Sequence, residues 1–295
     1  MIDRVTILAA IASAAIAGPA FAVTPNPTPN LKTGDYQAKW GIVTVGDPTA
    51  YGRNNVSANV YSTTVHYDAT SGTYVVNDGQ QNISFSRSEY VAAKSTSAYT
   101  AYRDTATGAT FKLLNQSATN PVIALTYITY GKWSPVPRSP VVLNDNYVVF
   151  GSITPASAVP RTGTGSYKFI VDGTWQQAGS PSGKTYALSG NGTLTANFAT
   201  ATTGLAITPV ATNTVNGSKI QFGTLTGGGF IDVSTSSWNA TSRTRAADGT
   251  KTLFSATGNF FGPQAQEIGA AFTLTRTLGT AEIGAGAGAL VGKKN

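Results

Sequence analysis

The sequence predicts an all-β protein, an N-terminal β-rich domain followed by a C-terminal domain of eight short strands that suits a closed barrel or a sandwich. Three observations carry that expectation. The 295 residues include 32 Gly and only 11% charged residues, so helix formers are scarce and residues suited to pleats and turns are abundant. The chain is 41% hydrophobic, with 12 Phe and 13 Tyr, which is ample core material and argues against disorder. Short runs of alternating apolar and polar residues recur between Gly, Ser, Asn and Asp clusters, and no apolar stripe of helical period emerges.

Residues 1–22 read as a secretory signal peptide. Asp3 and Arg4 precede the apolar run Val5–Ala17, Gly18-Pro19 break it, and Ala20-Phe21-Ala22 has the A-x-A pattern of a cleavage site. Residues 23–30, with three prolines in VTPNPTPN, read as an extended linker. The first domain is expected over 31–145, with strands at Val56–Tyr67, Thr73–Val76, Asn82–Phe85, Tyr99–Lys112 and Val122–Tyr130. The proline cluster Pro135, Pro137 and Pro140 suits a boundary or an edge better than an interior strand, and places the junction near 134–146.

The second domain, a barrel or a sandwich, is expected over 146–295. Its eight strands are read at Ser166–Val171, Tyr186–Ala199, Thr203–Pro209, Ile220–Gly223, Gly229–Val233, Lys251–Phe260, Gln266–Thr275 and Ile283–Val291. Leu194, Ala196 and Phe198 alternate with Thr193, Thr195 and Asn197, as a strand with one buried face requires. Eight strands closing on themselves leave an interior that side chains fill or that holds one small ligand.

There is no cysteine, which excludes disulfides, thiolate metal sites and catalytic thiols. The net charge of +7 is uneven. Residues 23–145 carry nine basic and seven acidic groups, and residues 146–295 carry ten and five. Arg243, Arg245 and Lys251 form the tightest basic cluster. No run of five basic residues or nucleic-acid motif occurs, so no nucleic-acid partner is expected.

One stretch is distinctive. Gly258-Asn259-Phe260-Phe261-Gly262-Pro263-Gln264-Ala265-Gln266-Glu267-Ile268-Gly269-Ala270-Ala271-Phe272 resembles the G-x-F-[FY]-G-x-x-A-x-E-[IVLM]-G-G-x-F signature of the transferrin-binding-protein-B family. Phe150–Tyr167 and Leu188–Phe198 are similar to that family's barrel entry and to one of its strands. The resemblance covers residues from about 146 to the end, and implies a β-rich handle-like N-terminal domain followed by a C-terminal eight-stranded antiparallel β-barrel. Physically, Phe260 and Phe272 can face inward while the glycines permit a tight hairpin. Glu267, set among apolar residues, needs a hydrogen-bond or charge partner if buried. Gly258, Phe260, Phe261, Gly262, Pro263, Ala265, Glu267, Gly269 and Phe272 are therefore read as scaffold.

The resemblance implies binding and not catalysis. The expected partner is a host iron- or haem-carrying protein, or haem itself, with the outer-membrane export machinery as a further partner. It also implies a place outside the cytoplasm: secreted, at the outer-membrane surface without the family's lipid-anchoring cysteine, or periplasmic. Ala270-Ala271 departs from the usual Gly-x.

Several look-alikes carry less. Ala178–Thr185 matches a loose phosphate-loop pattern, but Tyr186–Gly192 reads as strand and turn where that chemistry needs a helix. Gly284–Ala289 imitates a dinucleotide glycine pattern with only six residues left after it, and reads as a closing strand. His66, the single histidine, could be an axial haem ligand with Tyr67 beside it; an exposed strand residue before a turn is the plainer reading. No other cofactor and no metal site is expected. G-x-S-x-G and H-E-x-x-H are absent, and the chain is read as no enzyme. Alternatives are a small outer-membrane barrel, structural or channel-forming, and an adhesion or host-interaction protein without an iron role.

Overall fold

The computed structural model describes residues 31–46, 56–77, 82–135, 141–178 and 185–295. The expected signal peptide and linker lie outside the described residues. The first part is a sheet of eight antiparallel strands. They are β1 (Gly34–Gly46), β2 (Val56–Asp68), β3 (Thr73–Asn77), β4 (Asn82–Phe85), β5 (Tyr99–Arg103), β6 (Thr110–Leu114), β7 (Ile128–Ser134) and β8 (Val141–Gly151). Their spatial order is β4-β3-β2-β1-β8-β7-β6-β5. The sheet curls until it is nearly closed, and Phe85 of β4 stacks on Phe111 of β6 with centroids 4.8 Å apart. The hollow is filled by aromatic side chains, among them Tyr67 stacked on Tyr74 at 4.6 Å.

The second part comprises β9 (Thr164–Gln177), β10 (Thr185–Asn197), β11 (Thr202–Asn213), β12 (Lys219–Gln221), β13 (Leu225–Asp232), β14 (Ser237–Arg245), β15 (Thr250–Phe261), β16 (Glu267–Leu278) and β17 (Ala281–Lys294). Eight of these close into an antiparallel barrel, with β17 pairing β9 and β10 pairing β11. The ninth, β12, pairs only with β11. Phe169, Trp175, Leu194, Phe254, Phe260 and Phe272 fill the interior. Outward positions of β10 and β15 carry Ser189, Asn191, Thr193, Thr195, Ser255 and Thr257. Apolar in and polar out is the reverse of a barrel whose outer face meets lipid. The outer-membrane-barrel alternative loses its physical basis there.

The glycine- and alanine-rich strand β17 is buried from Gly284 to Gly292 because both of its faces are covered. One face lines the barrel, where the Trp175 ring lies so close over Gly284 that a Cβ there would stand 2.1 Å from its Cζ2. The other packs on the first sheet, where a Cβ on Gly41 would come within 3.0 Å of the Gly288 carbonyl oxygen. Small residues let the two sheets approach this closely. Leu114, Leu125, Ile128 and Val149 from the first part pack with Phe261, Ala289 and Val291 from the barrel in one shared cluster.

The number of barrel strands agrees with expectation, but the membership differs. The strand expected at Ile220–Gly223 falls on β12 and its flank, outside the barrel, while β14 has no counterpart among the expected strands. Only Trp238 and Ala240 are apolar in SWNATSRTR, so its alternation is masked by small polar residues. In the first part β1 and β8 likewise have no expected counterpart. β1 is central, and from Gly41 onward it is covered on both sides, so its apolar residues there fall at both parities. The proline cluster at 134–140 falls mostly outside the described residues, and β8 beyond it belongs whole to the first sheet. The single strand expected over Tyr99–Lys112 is a hairpin, turned at Asp104–Gly108, where Gly108 takes φ +76°.

The hairpin between β15 and β16 depends on glycine at one position above all. A Cβ on Gly258 would lie 1.9 Å from the Gly269 carbonyl oxygen and 2.7 Å from the Ala270 Cβ, and neither backbone can yield. Gly258→Ala is expected to cost about 2–3 kcal/mol through this overpacking. Urea unfolding with an unchanged m-value would measure it, and a loss below about 0.5 kcal/mol would contradict the assignment.

Candidate functional site

The signature residues converge on the seam between the two parts. Phe260 and Phe272 point into the barrel, Phe260 beside Phe198 at 5.5 Å and Phe272 stacked on Phe254 at 5.2 Å. Phe261, one residue on, points outward into the shared cluster. Gly262 takes φ +81° and Ala265 φ +56°, so the turn carrying Pro263 needs left-handed backbone at two positions. The Tyr167 hydroxyl fastens the turn by donating to the Ala265 carbonyl at 2.7 Å.

Glu267 is 4% exposed, and its carboxylate reaches across the seam. It accepts hydrogen bonds from three successive backbone amides, Thr126 N–H at 2.6 Å, Tyr127 N–H at 2.8 Å and Ile128 N–H at 3.1 Å. This explains why the strand expected over Val122–Tyr130 starts only at Ile128: residues 126–128 give their amides to a side chain. Burial pushes the Glu267 carboxyl above its ordinary range, while the three amide bonds and the charge of Lys293 pull it back. A Cβ on Gly269 would collide with Ile128 Cδ1 at 1.8 Å, so this glycine admits the first part to the same seam.

A second polar cluster lies further along the seam. Lys132 Nζ on β7 pairs with Asp145 Oδ2 on β8 at 2.7 Å. Asp145 also accepts from Thr174 Oγ1 of the barrel at 2.6 Å and from Ser134 Oγ at 2.7 Å. Burial alone would push its carboxyl up, but the lysine charge and these bonds together hold it below the ordinary carboxylate range. Tyr130 donates to Asp172 Oδ2 at 2.8 Å, and burial pushes both of these groups up. Tyr147 bonds Thr174 at 2.9 Å. Sequence reasoning missed this cluster. Its one local signal is an acid at 145 followed by the apolar run Tyr147–Phe150, in a chain poor in charge.

His66 and Tyr67 are not brought together. They are consecutive on β2, so their side chains leave opposite faces of the sheet. Tyr67 is 2% exposed in the aromatic core, whereas the His66 side chain is 44% exposed. His66 Nδ1 lies 2.7 Å from Asp35 Oδ1 on the neighbouring strand, which leaves Nε2 as the outward nitrogen. Five residues back along β2 and on the opposite face, Tyr61 is half exposed and packs on Trp40 at 5.5 Å. The Trp40 indole is steadied by donating to Asn146 Oδ1 at 2.9 Å.

The phosphate-loop look-alike spans the connection between β9 and β10, and its residues 179–184 lie outside the described set. Thr185 opens a strand that pairs antiparallel with β9, so no helix N-terminus is there to hold phosphate. The Gly284–Ala289 pattern is the β17 strand. Among the described residues no group of three or more His, Asp or Glu side chains comes together.

The fold and seam define a two-part scaffold, a nearly closed eight-stranded sheet joined to a closed eight-stranded barrel. Its structure is similar over most of the chain to solved lobes of transferrin- and lactoferrin-binding proteins B. The intact protein "Ap-TbpB", N and C lobes, is 11% identical with a TM-score of 0.44, over 89% of this chain and 77% of that one. Transferrin-binding protein B from Haemophilus parasuis Hp5 is 11% identical with a TM-score of 0.43, over 90% and 76%. The N-lobe of lactoferrin-binding protein B from Moraxella bovis is 9% identical with a TM-score of 0.37, over 87% and 99%. No family model and no curated protein sequence matches the chain.

Proposed function

We propose that this is an exported binding protein that captures a host iron- or haem-carrying protein at the surface of a Gram-negative cell. The supporting observation is Glu267. The most distinctive acid of the signature spends its carboxylate on joining the two parts, so the motif serves a rigid two-part scaffold whose outer surfaces are left for a partner. The Tyr61–Trp40 pair offers the kind of aromatic anchor that dominates protein interfaces. The direct test is surface plasmon resonance of the mature chain against iron-loaded transferrin and other purified host haem or iron carriers. Tyr61→Ala is expected to weaken capture by about tenfold or more with unchanged thermal stability. If no carrier binds at micromolar concentration, the reading fails.

A second reading, capture of haem itself, is favoured by one observation. A histidine that ligates metal commonly has its other ring nitrogen held by a carboxylate, and Asp35 holds His66 in that way. When bound, haem would supply iron for His66 Nε2 to ligate. Tyr67, facing the core, would take no part. A Soret shift on haem titration that disappears in His66→Ala supports this reading, and one that persists unchanged refutes the role of His66.

A further inference from the structure

Three cations on the barrel's outer wall have no part in either binding reading. Arg243 and Arg245 are two residues apart on β14 and point the same way. Lys251 of β15 stands directly across the ladder from Arg245, and Leu253 directly across from Arg243. On the next strand Thr275 stands across from Leu253, and Thr277 across from Lys251. These six residues line a surface cleft of about 410 Å³.

All three cations are exposed. The ion pairs among the described residues, His66–Asp35 and Lys132–Asp145, leave them out. Asp248, in the turn between β14 and β15, accepts instead from Thr250 N–H at 2.8 Å. Glu282 stands across from Thr277 and is ion-paired with none of the three. Ladder geometry puts Arg245 and Lys251 on backbones about 5 Å apart, and Arg243 about 7 Å along the strand. Like charges directly opposite each other destabilise a sheet. An anion seated between them would reverse the sign of that interaction.

We propose that this cleft binds a compact anion carrying two or more phosphate or carboxylate groups. Two guanidinium forks can each take an oxyanion group bidentately, and the lysine adds a point charge. The Thr275 and Thr277 hydroxyls can donate at the floor, and Leu253 gives the ligand's carbon skeleton an apolar surface. The cleft volume is within the range of small-ligand sites. The proposal does not depend on the export or host-binding reading.

Isothermal titration of the mature chain with tripolyphosphate and with citrate, at low and at physiological ionic strength, tests it. At least one of the two is expected to bind with a defined stoichiometry. The double variant Arg243→Gln/Lys251→Gln should bind it about tenfold more weakly or worse, with thermal unfolding no lower than that of the parent chain, since it also relieves the Arg245–Lys251 repulsion. The control double variant Lys168→Gln/Lys293→Gln removes two charges that also face each other across a ladder, between β9 and β17, and should bind normally. Absence of binding to both anions, or equal weakening in the two double variants, would overturn the proposal. Co-sedimentation with phosphatidylglycerol vesicles, competed by tripolyphosphate, would identify a lipid headgroup as the source of the phosphate. Binding of the free anions alone would identify a soluble ligand.

Discussion

Replacing Glu267 with alanine is expected to destabilise the fold by about 3–5 kcal/mol, at the upper end for a single residue. The change strands the buried amide of Ile128 and the part-buried amides of Thr126 and Tyr127, which have arranged themselves around one carboxylate. Water cannot replace it freely, because Ile128, Phe261 and Val291 pack around the seam. Glu267→Gln keeps one acceptor oxygen and should recover roughly half of the loss. The pH dependence has a definite sign. The folded-state value is raised, so this group's titration favours the fold below the ordinary carboxyl range and withdraws that support as pH rises through the raised value. The non-titrating glutamine should flatten that part of the profile. Guanidinium unfolding of the three forms across acid to neutral pH measures both effects. A Glu267→Ala loss under about 1 kcal/mol would mean that the carboxylate does not join the parts.

The second large effect is expected at Lys132. Lys132→Met removes the cation beside a nearly buried carboxylate and should cost about 3–5 kcal/mol at neutral pH. Asp145 is held below its ordinary range, so its contribution is present above the unfolded carboxyl value and is lost as pH falls through the folded one. The gap between wild type and Lys132→Met should therefore narrow in acid, where Asp145 is neutral in both. Adding Asp145→Asn to Lys132→Met should restore much of the neutral-pH loss, since the stranded charge is gone. If the double variant is no more stable than Lys132→Met alone, the cost has another source. Urea unfolding at neutral and acid pH decides between them.

The candidate sites differ in how far the sequence disclosed them. Glu267 was legible as a residue in need of a partner, because an acid among apolar neighbours is costly to bury. Its partners were not legible, since the amides lie about 140 residues away and amides carry no side-chain signature. The pair His66–Tyr67 was legible as adjacent, but adjacency in a strand means opposite faces. Arg243, Arg245 and Lys251 stood out as a cluster, and only the register of β14 with β15 placed them on one wall.

By itself the sequence determined that the chain would be all-β and that its C-terminal half would be short strands with one buried face, while the resemblance carried by Gly258–Phe272 implied that they close as a barrel around that hairpin. These outcomes come from composition, from two-residue alternation and from glycines at tight positions, all of which act over a few residues. Tertiary structure alone decided that β8 belongs to the first sheet and that the polar stretch Asn144-Asp145-Asn146, read as part of the junction near 134–146, runs through a strand. It also decided that β17 would be covered on both faces. Those outcomes rest on contacts between distant segments, chiefly Lys132 and Thr174 meeting Asp145 and the first sheet lying against Gly288. A polar residue can enter a buried strand when its partner arrives from elsewhere in the chain, and no local pattern announces that arrival.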